Sequence, residues 1–106
     1  MDKNFKIAVI GSGTMGNGIA HISAQSGFKT ILIDVNQEQL DKALSVIKNN
    51  LDKQIKKKVI LLSDKKNIIN NISLTTNIND CQNMDLVIEA IPEKYDLKVS
   101  VFKITK

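Results

Sequence analysis

An α/β fold with a parallel sheet is what this sequence predicts, and three observations predict it. Short apolar runs of strand length alternate with longer segments whose apolar residues recur at helical spacing. The runs "KIAVI", "KTILID" and "DLVIEAI" are nearly continuous in Ile, Leu and Val, the pattern of strands covered on both faces. A stretch holding four glycines in eight positions, "GSGTMGNG", joins the first run to the first helical segment.

The elements follow in order. Lys6–Ile10 reads as the first strand, ended by the glycine loop. The next segment places Met15, Ile19 and Ile22 at helical spacing, and Gly27 is its expected C-terminal stop. Lys29–Asp34 reads as the second strand. Leu40, Leu44, Ile47, Leu51 and Ile55, with Ala43 beside them, mark an amphipathic helix of about five turns. Asn36 is its expected N-cap, and Glu38 falls in the first turn, where the helix dipole favours an acid. Residues 63–72 read as a shorter helix capped by Ser63 or Asp64. Ser73–Thr76 is a weak third strand, and a polar connector leads to the fourth, Asp85–Ile91, which Pro92 stops. "YDLKVSVFKITK" reads as a closing helix with Leu97, Val101 and Ile104 on one face. Strand, crossover and parallel strand imply right-handed connections.

Composition narrows the functional classes. The chain has 106 residues, enough for one domain and one core, with 42% apolar and 25% charged residues. Its net charge of +4 is carried by fifteen lysines and no arginine. Base readout in DNA leans on bidentate arginine, so a nucleic-acid partner is not expected. No apolar run approaches the ~20 residues that cross a bilayer, and "MDKNFK" lacks the features of a secretory signal. One cysteine, Cys81, forms no internal disulfide and reads as a small buried hydrophobe. A reducing cytoplasm is the expected location. The lysines gather at Lys53, Lys56, Lys57 and Lys58, either as a solvated helix end at the negative dipole pole or as a place to meet a phosphate-bearing ligand.

The glycines carry the chemistry. Gly11-x-Gly13-x-x-Gly16 follows a strand and opens a helix, the context that gives this spacing its meaning. Gly11 permits the tight turn, Gly13 lets a pyrophosphate approach the backbone, and Gly16 lets the helix pack closely on the sheet. The helix N-terminus presents free N–H groups and a positive dipole end to the anion. Gly18 reads as a packing glycine. Asp34 ends the second strand, 23 residues after Gly11, where a carboxylate accepts from ribose hydroxyls and repels a 2′-phosphate. No Lys or Arg follows it in "DVNQEQ", so NAD is the expected cofactor rather than NADP. The fold class is therefore a Rossmann-type doubly wound parallel sheet, with strand order 3-2-1-4.

With the glycine loop, Asp34 and "DLVIEAIPEKYDLK" in view, the chain resembles the 3-hydroxyacyl-CoA dehydrogenase family over residues 5–106. The resemblance places Gly11, Ser12, Gly13, Thr14, Met15 and Gly16 around the pyrophosphate and Asp34 on the adenosine ribose. It puts the backbone of Ile91 and Pro92 close to the cofactor, and Glu93 and Lys98 on the walls of the NAD site. Lys57 matches a lysine that approaches coenzyme A, and Asn50 stands where the family often has a serine. It implies an acyl-CoA substrate, oxidation of a (3S)-hydroxyacyl-CoA to a 3-ketoacyl-CoA, and a homo-oligomer in full-length members.

By the same resemblance, residues 1–106 are an incomplete NAD-binding domain. The family's catalytic His–Glu pair and its substrate-orienting Ser and Asn fall on later segments. The chain alone is then expected to be inactive, and its fourth strand, "LVIEAI", to lie at an open sheet edge. His21 reads as a surface residue on the polar stripe of the first helix, and Glu89 as a strand-end polar group near the cofactor crevice. Two other functions remain open on sequence: a non-catalytic NAD-binding or sensing module, and a fragment of another β-hydroxyacid dehydrogenase.

Overall fold

The computed structural model describes residues 4–92 and 97–103. Five strands form one sheet in the order β3-β2-β1-β4-β5. They are β1 (Lys6–Ile10), β2 (Lys29–Ile33), β3 (Ile72–Thr75), β4 (Leu86–Pro92) and β5 (Leu97–Lys103). The first four run parallel, in the order expected. The helices are α1 (Thr14–Gln25), α2 (Gln37–Lys56) and α3 (Leu62–Asn70). The polar connector before β4 contains a single 3-10 turn, Ile78–Cys81.

Strand periodicity divides the core between the two sheet faces. Ile7 and Val9 point to one face and pack with Ala20 of α1, Leu32 of β2, and Leu40 and Ala43 of α2. A second cluster, Ala24, Ile47, Leu51 and Ile68, joins the three helices. Ala8 and Ile10 point the other way, into a cluster with Ile33, Val87, Met84 and Cys81 that contains no α-helical residue. Cys81 is half-buried there, not a fully buried core residue.

Helix ends follow their sequence signals. Asn36 caps α2, its Oδ1 accepting from the N–H groups of Glu38 at 2.9 Å and Gln39 at 3.3 Å. At the end of α1, the N–H of Gly27 donates to Ala24 O and that of Phe28 to Ser23 O, at 3.1 Å each. This is a Schellman closure, and Gly27 takes the left-handed φ of 98° it requires. The cap of α3 differs from expectation. Leu61 is the N-cap residue, and Asp64, at the third helical position, accepts the Leu61 N–H at 2.8 Å. Asp64 therefore acts from inside the first turn, as the acidic half of a capping box.

Four further expectations are corrected. The buried stripe of α1 is Gly16, Ala20 and Ala24, flanked by Asn17 and His21, while Ile22 is exposed. Small residues at i, i+4 and i+8 let the helix sit close to the sheet, and larger apolar residues have no room there. Residues 97–103 are not helical but form β5, antiparallel to β4 from Leu86↔Lys103 to Pro92↔Leu97. "LKVSVFK" alternates over its first five residues and contains two β-branched valines, a strand pattern. As a result β4 is not an edge strand, because β5 occupies its outer side. Pro92 is the last residue of β4 rather than a stop beyond it.

Candidate functional site

The site is built where β1 and β2 end and α1 begins. Gly11 leaves β1 with φ of 99°, and its N–H donates to Ile33 O at 2.7 Å. A Cβ on Gly11 would run into the carbonyl oxygen of Ala90 on β4. One on Gly16 would collide with the carbonyl oxygen of Gly11. Two bare Cα atoms therefore let strand, loop and helix interlock. Gly13 is different: a Cβ there meets nothing within 4 Å. It is the N-cap of α1 and is exposed. Its missing side chain leaves open space at a helix N-terminus, the place where a diphosphate meets unpaired N–H groups. A dinucleotide fits this arrangement.

Asp34 stands across the loop from Gly13. Its Oδ2 accepts from the Ser12 N–H at 3.0 Å and the Ser12 hydroxyl at 2.7 Å. Its Oδ1 accepts from the Asn36 N–H at 3.1 Å. Partial burial raises its pKa. Hydrogen bonds from the Ser12 hydroxyl and from the N–H groups of Ser12, Asn36 and Val35 outweigh that, so the net shift is downward from 3.8. The carboxylate is charged at neutral pH.

A largely apolar cleft of about 420 Å³ opens beside Asp34, walled by Ile10, Ile33, Val35, Ile78 and Ile91. Its size and apolar lining suit a flat heteroaromatic ring. A second, more polar cleft of about 300 Å³ lies between the start of α1 and the side of α2 that meets it, walled by Thr14, Gly18, Lys42, Val46 and Asn50. Ser12, Gly13 and Gln39 border both.

Most of the residues singled out in the sequence converge here. Gly11, Ser12, Gly13, Asp34 and Ile91 line the first cleft. Asn50 lines the second, together with Ser12, Gly13 and Thr14. Met15 lies on the first turn of α1 and is half-buried. Lys57 is not part of either cleft wall. It is the exposed C-cap of α2, seven residues and roughly 10 Å along the helix axis from Asn50. Pro92 ends β4, Lys98 lies on β5 opposite Ile91, and Glu93 lies outside the described residues. Glu89 is half-buried on β4, in register with Ile10 at the end of β1.

Two side-chain expectations change. His21 is 9% exposed, not a surface residue. Its Nε2 lies 2.8 Å from Gln25 Oε1 and 3.4 Å from Gln54 Nε2, so it bridges α1 to α2. Beside it, Asn17 donates to Ala43 O at 2.9 Å. The polar stripe of α1 thus meets α2 instead of water. Gly18 is not a packing glycine, since a Cβ there meets nothing within 4 Å and the residue faces the polar cleft. Sequence reading passed over Val35, Gln39 and Lys42. The signal for the last two was their spacing at i and i+3 in the opening turns of α2, on the side of the glycine loop.

Among the described residues, no group of three or more His, Cys, Asp or Glu side chains could hold a metal ion. No helix among them is long and apolar enough to cross a membrane.

A family model described as "3-hydroxyacyl-CoA dehydrogenase, NAD binding domain" matches residues 6–106. A 3-hydroxybutyryl-CoA dehydrogenase of Bradyrhizobium diazoefficiens is 39% identical over 97 residues, covering 92% of this chain and 33% of the relative. One of Clostridioides difficile is 41% identical over 99 residues, covering 93% and 35%. The crystal structure of (S)-3-hydroxybutyryl-CoA dehydrogenase from Ralstonia eutropha superposes with a TM-score of 0.81 at 33% identity, over 85% of this chain and 32% of that one. The chain spans about a third of the length of the curated relatives it matches.

Proposed function

The chain belongs to the NAD-binding domain family of the 3-hydroxyacyl-CoA dehydrogenases, and from this membership we propose that it supplies the cofactor half of an enzyme that oxidises a (3S)-hydroxyacyl-CoA to the 3-ketoacyl-CoA. The observation that carries the proposal is the pairing of Gly13, bare at the N-terminus of α1, with the charged Asp34 across the loop. In this reading the N-terminal N–H groups of α1 receive the diphosphate and Asp34 receives the adenosine ribose. The cleft between Val35, Ile78 and Ile91 takes the adenine. Bound NAD supplies the hydride acceptor.

The acyl-CoA partner belongs to the polar cleft in this proposal. Asn50 and Lys57 are two turns apart on α2, so they lie on one side of the helix. A coenzyme A phosphate meets the lysine-rich end, and its chain runs past Asn50 towards the glycine loop. Among the described residues the chain brings no His–carboxylate pair to either cleft. Its single histidine is held between Gln25 and Gln54. We therefore propose that the 106-residue chain binds cofactor without turning substrate over, because proton transfer by a placed acid or base is typically worth ~10²–10⁴-fold in rate.

Calorimetric titration of the chain with NAD tests the first part, with Gly13→Ala as the paired variant. Ala at position 13 meets no protein atom but occupies the diphosphate seat. The expected result is binding by the parent chain and at least tenfold weaker binding by a variant that melts at the same temperature. Equal binding by the two would remove Gly13 from the site. Acetoacetyl-CoA reduction, followed by NADH absorbance, tests the second part, and turnover at the rate of a full-length relative would contradict it.

A further inference from the structure

The Ser12 side chain has a place in the site that the glycine spacing does not account for. The Gly-x-Gly spacing leaves the position between the first two glycines unspecified, and the backbone N–H of Ser12 already reaches Asp34. The hydroxyl makes a second, shorter bond to the same oxygen, at 2.7 Å, from a side chain that is 4% exposed. A buried hydroxyl aimed at a carboxylate is a strong, charge-assisted contact.

We propose that Ser12 is a positioning residue for Asp34, whose hydroxyl fixes the carboxylate across the glycine loop and so sets the preference for a free 2′-hydroxyl over a 2′-phosphate on the cofactor's ribose. The inference rests on the reading of Asp34 as the ribose acceptor. Each carboxylate oxygen has about two acceptor positions. At Oδ2 both are taken by Ser12, through its N–H and its hydroxyl. Within hydrogen-bond geometry Oδ1 takes the Asn36 N–H, with the Val35 N–H also facing the carboxylate. Oδ1 is thus the less occupied oxygen and the one that receives a ribose hydroxyl, and the carboxylate is not free to rotate about its last bond to offer the other. The same restraint prevents it from turning away from a 2′-phosphate, which is left facing a fixed negative charge. Without the hydroxyl, the backbone N–H of Ser12 and that of Asn36 still hold the carboxylate, but Oδ2 regains an acceptor position and the group regains freedom to swing.

Ser12→Ala tests this in the 106-residue chain, titrated with NAD and with NADP. Hydrogen bonds to charged groups set the expected scale at about tenfold. Binding of NAD should weaken by roughly that factor, while NADP binding stays the same or strengthens, so the NAD-to-NADP preference falls about tenfold. The same change in an Asp34→Ala background should leave the preference untouched, because a residue that acts through Asp34 has nothing left to act on. Ser12→Thr, which keeps the hydroxyl, should retain the preference. Equal weakening of NAD and NADP by Ser12→Ala, or a Ser12 effect that persists in the Asp34→Ala background, would overturn the proposal and leave Ser12 a space-filling residue of the loop. An Asp34→Asn chain that binds NAD as tightly as the parent would overturn the ribose reading itself, and the role of Ser12 with it.

Discussion

The Cα of Gly16 lies against the carbonyl oxygen of Gly11, so closely that no side-chain carbon fits between them. The first turn of α1 is thereby pressed onto the end of β1, and Ala90 on β4 closes the contact from the other side, 3.6 Å from where a Gly16 Cβ would sit. The obstructing atoms are backbone, so they cannot step aside as a flexible side chain does. We predict that Gly16→Ala destabilises the chain by about 1–3 kcal/mol, the usual range for overpacking, and lowers NAD affinity by displacing the helix N-terminus. Urea unfolding should show a lower midpoint at unchanged slope. A midpoint equal to the parent's would mean that the loop is more pliant than its close packing implies.

Gly18 offers the opposite case. It lies inside α1, a Cβ there touches nothing, and its φ is not in the left-handed region. Glycine inside a helix costs about 1 kcal/mol relative to alanine. Gly18→Ala is therefore predicted to stabilise the free chain, raising its melting temperature by roughly 4–8 °C. A melting temperature that falls would show that the position is packed after all.

Cofactor preference should be reversible at the end of β2. Asp34→Ala removes the fixed charge, and a cation is then needed beside the 2′ position. Asn36 is unsuitable for it, since its side chain caps α2 and losing such a cap costs about 1 kcal/mol. Val35 is 91% exposed and lines the ring cleft, which makes it the better site. The double change Asp34→Ala with Val35→Arg is predicted to weaken NAD binding and admit NADP. Fluorescence titration with both reduced nucleotides measures this, and an unchanged order of affinities would place the ribose elsewhere.

Acid should act on stability through Asp34. Its pKa in the folded chain lies below 3.8, the value expected without those contacts. A depressed carboxylate contributes stability that is fully present above the unfolded value and is lost as the pH falls through the folded one. The contribution is therefore complete at neutral pH, begins to fall near the unfolded value of about 4, and is gone only below the depressed folded one. Asp34→Asn is predicted to flatten the acid limb of the stability profile in that window and to leave its shape above pH 5 unchanged. An acid limb identical to the parent's would assign acid unfolding to other carboxylates.

The site was legible in the sequence to the extent that it depends on backbone. Gly11 and Gly16 are glycine because strand and helix meet without room for a Cβ, and Asp34 follows β2 directly. The φ of 99° at Gly11 and the contact of Gly16 with Gly11 are local requirements, so spacing along the chain records them, whereas the approach of Gly11 to Ala90 is long-range. The bond from the Ser12 hydroxyl to Asp34 spans 22 residues. Nothing in the spacing marks a serine between two glycines as a partner for a distant carboxylate.

The sequence by itself determined the order of the first four strands, the caps at Asn36 and Gly27, and the bare glycine loop between β1 and α1. Local conformational preference and hydrophobic period are written residue by residue, and these elements obey both. Tertiary structure alone decided which faces are buried and what the last segment becomes. The buried face of α1 is its small and polar one, because its distance from the sheet and the neighbouring α2 exclude Ile22 but accommodate Ala20, Asn17 and His21. Residues 97–103 carry apolar residues that satisfy either period over a few positions. The unpaired backbone of β4 resolves the ambiguity, since a strand alongside it satisfies N–H and C=O groups that a helix would leave open.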